Sequence, residues 1–430
     1  MLNKYILRYK NLARRPIIHK TASAMFTQGM LSVMNFVIGF ATAKFATKSE
    51  YGVYVVLFSI LGIPGGIQNS LINNPCIVLV PKKLPEEKDL FITGLGSGQW
   101  LIFIPLMAFL LFAVFIYSNI SNDRVTFEYG LVLVFSILAS LLREFYRTLN
   151  YINMKILSIV KIDIVFVIII IIGISALIFL DKVTSSTAIA LLGIGYLISA
   201  VYAYISDDTK FIFNCSNIKK SFLESWPLSR WSLISVTSAL LQNRGYIYIV
   251  TLMLGIEDVA EISAARLFLM PLGFLIVSTG KITLAKGADL FEKNNFVNLK
   301  KYVYSIIIFL IFIWICYIIF LMVFYDSIIT YAFAGKYSNL FLYILIWATY
   351  FLIYIIRFPI NRAIMAAGEF KLLSYYDVLS ASITILACLL LIKNIGSYGA
   401  ILSLLIGEIV LLILVFPKFR VLTKPQILVC

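Results

Sequence analysis

The sequence predicts an all-α membrane protein of about twelve transmembrane helices in two six-helix lobes. Three observations carry that prediction. The 430 residues are 61% hydrophobic and only 13% charged, with a mean hydropathy of +0.97, against roughly 25% charged residues in a soluble domain. The apolar stretches are long and continuous rather than ten-residue segments of alternating polarity, which favours helices over a barrel. A weak internal repeat divides the chain near its middle.

Each span needs about 20 mostly apolar residues. Spans are placed, within about ±4 residues, at 21–43, 51–74, 91–117, 127–150, 158–180, 184–205, 231–255, 261–283, 303–325, 340–362, 374–393 and 397–417. These use nearly all of the chain and leave no room for a sizeable soluble domain. The second span is interrupted by Gly62-Ile63-Pro64-Gly65-Gly66, and the eighth carries Pro271 and Gly273. Both helices are expected to kink or open there.

The domain reading follows. Residues 1–20 form a basic arm, 21–205 an N-terminal lobe, 206–230 an interlobe linker, 231–417 a C-terminal lobe, and 418–430 a tail. In the arm, Leu2, Tyr5, Ile6, Tyr9, Leu12 and Ala13 share one helical face, and Lys4, Arg8, Asn11 and Arg15 the other. That pattern suits an amphipathic helix on anionic lipid. Because the arm is basic and the first apolar stretch is full length, no cleavable signal peptide is expected.

Lys and Arg set the orientation. Of 36, six (Lys44, Lys48, Arg124, Lys182, Lys336, Lys393) fall on one side and three (Arg244, Arg266, Arg357) within spans. The other 27 fall on the opposite side, which is therefore cytoplasmic, with both termini inside. The net charge of +15 is mostly this bias and does not indicate a nucleic-acid surface. One histidine, His19, and five cysteines without a CxxC pair give no basis for a zinc site, a Cys/His nucleophile or a disulfide framework.

The two halves share local features. Ser49-Glu50-Tyr51-Gly52-Val53-Tyr54 opens the second span and Glu257-Asp258-Val259-Ala260-Glu261-Ile262 the eighth, at an offset of 208 with Gly52 aligned to Ala260. Arg143-Glu144-Phe145-Tyr146-Arg147 near the inner end of the fourth span parallels Arg357-Phe358-Pro359-Ile360-Asn361-Arg362 in the tenth. With six spans between them both halves start inside, so the pseudo-twofold is parallel, its axis along the membrane normal.

Charged side chains in the bilayer cost about 2.5–3.5 kcal/mol on insertion scales, so they face a cavity or a partner. Arg244 lies near mid-span in the seventh helix, and Arg266 in the outer part of the eighth. Arg143 and Arg357 lie in the inner third of their spans and Lys281 at the inner end of the eighth, where they can line a cavity or snorkel as anchors; Arg143 can also pair with Glu144. A planar guanidinium with five donors that keeps its charge suits phosphate oxygens. Arg244, Arg266, Arg357, Arg143 and Lys281 are therefore the candidate cationic, substrate-binding set. Gln28, Asn35, Asn69, Gln99, Gln242 and Asn243 are candidate polar lining. Glu408 and Asp163 are candidates for coupling to an ion; for Glu408 a structural pair with a neighbouring Lys or Arg is the alternative. No GxxxxGK[ST] or HExxH motif is present, so no enzyme activity and no nucleotide, metal or organic cofactor is expected. H+ or Na+ is the expected coupling ion.

Lys48-Ser49-Glu50-Tyr51-Gly52-Val53-Tyr54, Leu241-Gln242-Asn243-Arg244, Leu254-Gly255 and Ser263-Ala264-Ala265-Arg266 resemble segments of the bacterial polysaccharide transporters. These are the O-antigen flippases of the multidrug/oligosaccharidyl-lipid/polysaccharide superfamily, whose fold is MATE-like. The family commonly has Asp-Arg where this chain has Asn243-Arg244. The resemblance implies alternating access in the bacterial inner membrane and a cationic cavity. It implies an undecaprenyl-pyrophosphate-linked oligosaccharide carried from the cytoplasmic to the periplasmic leaflet in O-antigen or lipopolysaccharide synthesis. A polysaccharide polymerase and a chain-length regulator are the implied partners. Two alternatives stand beside it: a multidrug exporter of the same superfamily, disfavoured by the arginines, and a membrane-embedded polymerase, disfavoured by the short outer loops.

Overall fold

The computed structural model describes residues 27, 29–121, 124–206, 213–333, 335–337 and 340–423. The amphipathic arm, His19 and Gln28 lie outside them, as does most of the tail. All regular structure among the described residues is helical: α1 (Gly29–Phe45), α2 (Lys48–Lys82), α3 (Pro85–Ser121), α4 (Arg124–Ile152), α5 (Ile156–Phe179), α6 (Ser185–Ile205), α7 (Cys215–Met253), α8 (Ile256–Leu267), α9 (Met270–Glu292), α10 (Phe296–Val323), α11 (Tyr325–Phe333), α12 (Leu340–Ala366), α13 (Phe370–Ile395) and α14 (Ser397–Leu422). Nine of these are long and apolar enough to cross a membrane, or ten if α8 and α9, bent by 60° at their junction, count as one span. The chain is a multi-pass membrane protein, because only internally bonded helices satisfy backbone polar groups in lipid. The two remaining expected spans correspond to the shorter α1 and to α7.

Three local expectations are revised or sharpened. The seventh helix begins at Cys215, so most of the expected linker is helix. Ile218, Ser221, Ser225 and Ser229 form a buried stripe at helical spacing. Its first two members pack against glycines of α3: a Cβ on Gly94 would overlap Ser221 Oγ, and one on Gly98 would lie 2.9 Å from Ile218. Ser221 is here a small residue facing a glycine, which lets the two helices approach.

In the second span, α-helix continues through Pro64, and the irregular turn is π-helical at Asn69–Asn73. Pro75 opens the next helical turn. Its ring opposes the carbonyl four residues back, at Leu71, and a wider turn relieves that clash. The eighth span does open as expected. The chain breaks at Phe268–Leu269 just before Pro271, and the Tyr317 hydroxyl donates to the freed Phe268 carbonyl at 2.6 Å.

Contacts group the chain into two compact units. The first holds residues to Ile38, Gln68–Lys182 and Ser186–Ser229; the second holds Gly39–Ile67, Val183–Ser185 and the chain from Arg230 onward. The division passes through α1, α2 and α7. In the second unit, Leu299, Val303 and Ile307 of α10, Ile360 and Ile364 of α12, Leu373 of α13, and Val415 and Phe419 of α14 form one buried cluster. Gly396 joins α13 to α14 at a φ of 61°, in the left-handed region that glycine enters without a Cβ penalty.

Candidate functional site

In the first unit, two neighbouring helices bring four charges together. Arg143 and Arg147 lie one turn apart on α4 with Glu144 beside them, and Asp163 projects from α5. Arg143 donates through Nη1 to Glu144 (2.7 Å) and through Nη2 to Asp163. Arg147 donates to Glu144 at 2.8 Å and to Asp163 Oδ2 at 3.1 Å. Asp163 is fully buried and Arg143 is 1% exposed. The Arg143 guanidinium also lies 4.8 Å from the Phe166 ring and 5.7 Å from Tyr196, which stacks on Phe166. Two positive and two negative charges make a formally neutral cluster, the arrangement that permits burial.

In the second unit, Arg357 of α12 meets Glu408 of α14 in a two-point ion pair, Nε to Oε2 at 2.6 Å and Nη2 to Oε1 at 3.2 Å. Both are buried. The planar fork matches the carboxylate oxygens. The coupling candidates Asp163 and Glu408 are therefore each held by arginine in this structure, and Arg143 and Arg357 are each held by a carboxylate.

Arg266 is placed differently. Its Nη1 donates to the Tyr246 hydroxyl at 3.3 Å, and its guanidinium lies 5.0 Å from the Trp347 ring. Tyr246 and Trp347 are themselves edge to face, and Tyr350 packs on Trp347. Trp347 is locked by its indole N–H, which donates to the Ile262 carbonyl at 3.1 Å. No carboxylate among the described residues forms a salt bridge with Arg266. Arg244, two residues before Tyr246, donates to the carbonyls of Phe58 and Ser59 at 3.0 and 3.1 Å and sits 5.6 Å from the Phe58 ring. Gly62 leaves room for it: a Cβ there would lie 2.8 Å from Arg244 Nη1.

The polar candidates separate. Gln99 accepts from Gln68 Nε2 at 2.8 Å, and Gln68 also donates to the Leu141 carbonyl at 2.6 Å. Asn69 accepts from Asn73 at 2.8 Å within the π-helical turn. Gln242 donates to Ser380 Oγ at 3.0 Å, and Ser380 to the Gly407 carbonyl at 2.8 Å, tying α7, α13 and α14. Asn243 is exposed and bonds back to Ala239 of its own helix. Asn35 is half-buried on α1. The backbone of Lys281 lies in α9; its side chain is outside the described set.

Sequence reading passed over several participants. Tyr246 and Trp347 carried no signal beyond being aromatic. Gln68 sits beside the glycine run that drew attention instead. Asp377, inside α13, faces Ser235 Oγ at 3.4 Å; a carboxylate in an apolar stretch was the available signal.

Among solved structures, the fold matches the lipid II flippase MurJ in an inward closed conformation. The TM-score is 0.74 at 17% identity, covering 94% of this chain and 87% of that one. An inward-facing multidrug resistance MATE family transporter of the MOP superfamily matches at 0.66 and 14% identity, covering 91% and 94%. The eukaryotic MATE transporter AtDTX14 matches at 0.63 and 15%, covering 94% and 98%. No protein-family model and no curated protein matches the chain. The expected MATE-like fold is therefore the fold observed, over nearly the whole chain.

Proposed function

Starting from that fold, we propose that the chain is a flippase of the bacterial inner membrane for an anionic, lipid-linked saccharide. An undecaprenyl-pyrophosphate-linked oligosaccharide carried toward the periplasmic leaflet is the substrate that the sequence resemblance favours. The observation that carries this reading is Arg266. It is a guanidinium in the outer part of a span, in the last turn of α8, walled by Tyr246, Trp347 and Tyr350, with no salt bridge to a described carboxylate. A phosphate group would supply the missing counter-charge through charge-assisted hydrogen bonds, and aromatic faces beside it suit sugar rings. Arg244, on the helix that also supplies Tyr246, is the second member of the proposed site. A cationic drug would find repulsion here.

Energy coupling is proposed through H+ or Na+. Glu408 is held by Arg357 and Asp163 by both Arg143 and Arg147, so either can exchange an ion only by first releasing the arginines that hold it. The resemblance also favours a polysaccharide polymerase and chain-length regulator as downstream partners.

The test is flipping of a fluorescent undecaprenyl-pyrophosphate oligosaccharide in proteoliposomes. Charge-assisted hydrogen bonds are worth about 1.5–3 kcal/mol, so Arg266→Ala is expected to lower the rate by about ten- to hundredfold with the protein level in the membrane unchanged. Arg266→Lys, which keeps the charge and loses the fork, is expected to fall between. Wild-type flipping by Arg266→Ala refutes the assignment.

Gly62→Ala gives a second, independent check. The new methyl meets the tip of a flexible side chain, so it displaces the Arg244 guanidinium from the Phe58 and Ser59 carbonyls instead of parting helices. Flipping is expected to drop several-fold, with a melting temperature close to wild type. A large melting shift without loss of transport contradicts this.

A further inference from the structure

Six basic residues fall on the side that the charge bias assigns to the outside. Two of them, Lys48 and Lys336, hold helix ends together within the second unit. Lys48 opens α2 and reaches α8, with Nζ 2.7 Å from Glu261 Oε1 and 3.5 Å from Glu257 Oε2. Glu261 is anchored from behind, because the Tyr343 hydroxyl of α12 lies 3.3 Å from Oε2 and 2.6 Å from Ser397 Oγ of α14.

Lys336 sits in the connection from α11 to α12. Its ammonium donates to the carbonyls of Lys44 (2.6 Å) and Ala46 (2.8 Å), where α1 ends. The last carbonyls of a helix lack intrahelical partners and carry its negative dipole end, so a lysine there supplies both hydrogen bonds and charge.

The backbones also touch between these two contacts. A Cβ on Gly52 would overlap the carbonyl oxygen of Ile256. Tyr51 packs edge-on against Tyr337, which packs against Phe333, which in turn meets Phe268. Tyr51 and Tyr337 are 2% and 1% exposed. The helix starts matched by the internal repeat, Ser49–Tyr54 and Glu257–Ile262, are thus pressed together and joined by Lys48, while Lys336 ties down the adjoining end of α1.

We infer that Lys48 with Glu261, and Lys336 with the end of α1, form a latch that holds the extracytoplasmic side shut and is broken each time the protein opens outward. Lys48 and Glu261 are both half-buried, and an ion pair still reached by solvent is individually weak. A latch of that strength shifts a two-state equilibrium measurably without locking it, which suits a gate that must open in every cycle. The inference needs only that the protein visits a state open to the outside. It does not rest on Arg266 or on the identity of the substrate.

The test reads closure directly. Ala46 is 4% exposed behind Lys336, and Ala46→Cys adds little volume. In proteoliposomes without substrate, labelling of this introduced thiol by a membrane-impermeant maleimide is compared with the parent that keeps Ala46. Wild-type Lys48 and Lys336 are expected to give slow labelling. Lys48→Glu, which faces two carboxylates, and Lys336→Ala are each expected to raise the rate several-fold. Lys48→Arg keeps the pair and is expected to stay slow, and the swap Lys48→Glu with Glu261→Lys is expected to return Lys48→Glu toward the slow rate. Unchanged labelling in both Lys48→Glu and Lys336→Ala overturns the latch. So does failure of the swap to restore slow labelling in protein that elutes as a single species. Loss of flipping in Arg266→Ala leaves these rates untouched, so the two readings fail separately.

Discussion

Glu408→Ala is expected to destabilise the protein by about 3–5 kcal/mol, the cost of leaving a buried charge without its partner. The charge left behind is Arg357, buried on α12 beside Tyr354, whose ring lies 5.1 Å from it. No other carboxylate forms a salt bridge with Arg357 among the described residues. The measurement is thermal loss of the monodisperse peak in detergent. The double change Arg357→Met with Glu408→Leu removes both charges and is expected to recover most of the loss, since apolar replacement of a buried pair is often neutral or better. Flipping by that double variant then separates the two roles proposed for Glu408. Gradient-dependent transport that survives without the carboxylate removes Glu408 from the coupling mechanism, while a stable but uncoupled protein keeps it there.

Asp163→Ala is expected to have a comparable effect in the first unit, again about 3–5 kcal/mol. It takes a carboxylate from a balanced set of four and leaves Arg143 and Arg147 sharing Glu144. Asp163→Asn retains an acceptor and is expected to cost less than Asp163→Ala. The check is protease resistance of the detergent-solubilised protein across the two variants. Equal resistance to wild type in both contradicts the view that Asp163 neutralises the α4 arginines.

Much of the architecture was legible because lipid imposes it. Spans read from continuous apolar runs match α3 to α6 and α10 to α14, α11 excepted, with ends that agree to within seven residues; the largest differences are the earlier starts of α3 and α10. The break before Pro271 was visible because a proline at a helix start has an unambiguous physical effect. The second span was harder. Pro64 and its flanking glycines look like the disruption, yet the π-helical turn answers to Pro75, which lies just past the expected end of the span. The first half of α7 was read as linker because Lys219, Lys220 and Pro227 interrupt the apolar pattern; only the burial of Ser221, Ser225 and Ser229 at helical spacing shows a packing stripe.

The candidate site was legible residue by residue but not as pairs. Arg143, Asp163, Arg357 and Glu408 all stood out as charges in apolar surroundings. Periodicity carries no information on which helix lies beside which, so the pairs Arg143–Asp163 and Arg357–Glu408 emerge only in three dimensions. The setting of Arg266 was invisible for the same reason: Tyr246 and Trp347 lie 20 and 81 residues away in the chain.

The pairs Arg143–Asp163 and Arg357–Glu408 also differ in how long the growing chain must wait for them. Arg143 and Asp163 are 20 residues apart on consecutive helices, so α4 and α5 can leave the insertion machinery as a hairpin with its charges already matched. Arg357 and Glu408 are 51 residues apart, with the whole of α13 between them. At about 5–20 residues per second, α12 must sit in or beside the translocon for several seconds carrying an arginine whose partner has not been made. Biogenesis of this protein therefore has an exposed interval for this pair, between synthesis of α12 and of α14. A ribosome stalled there should yield a nascent chain that a membrane-embedded chaperone or quality-control protease captures, whereas one stalled after α5 should not.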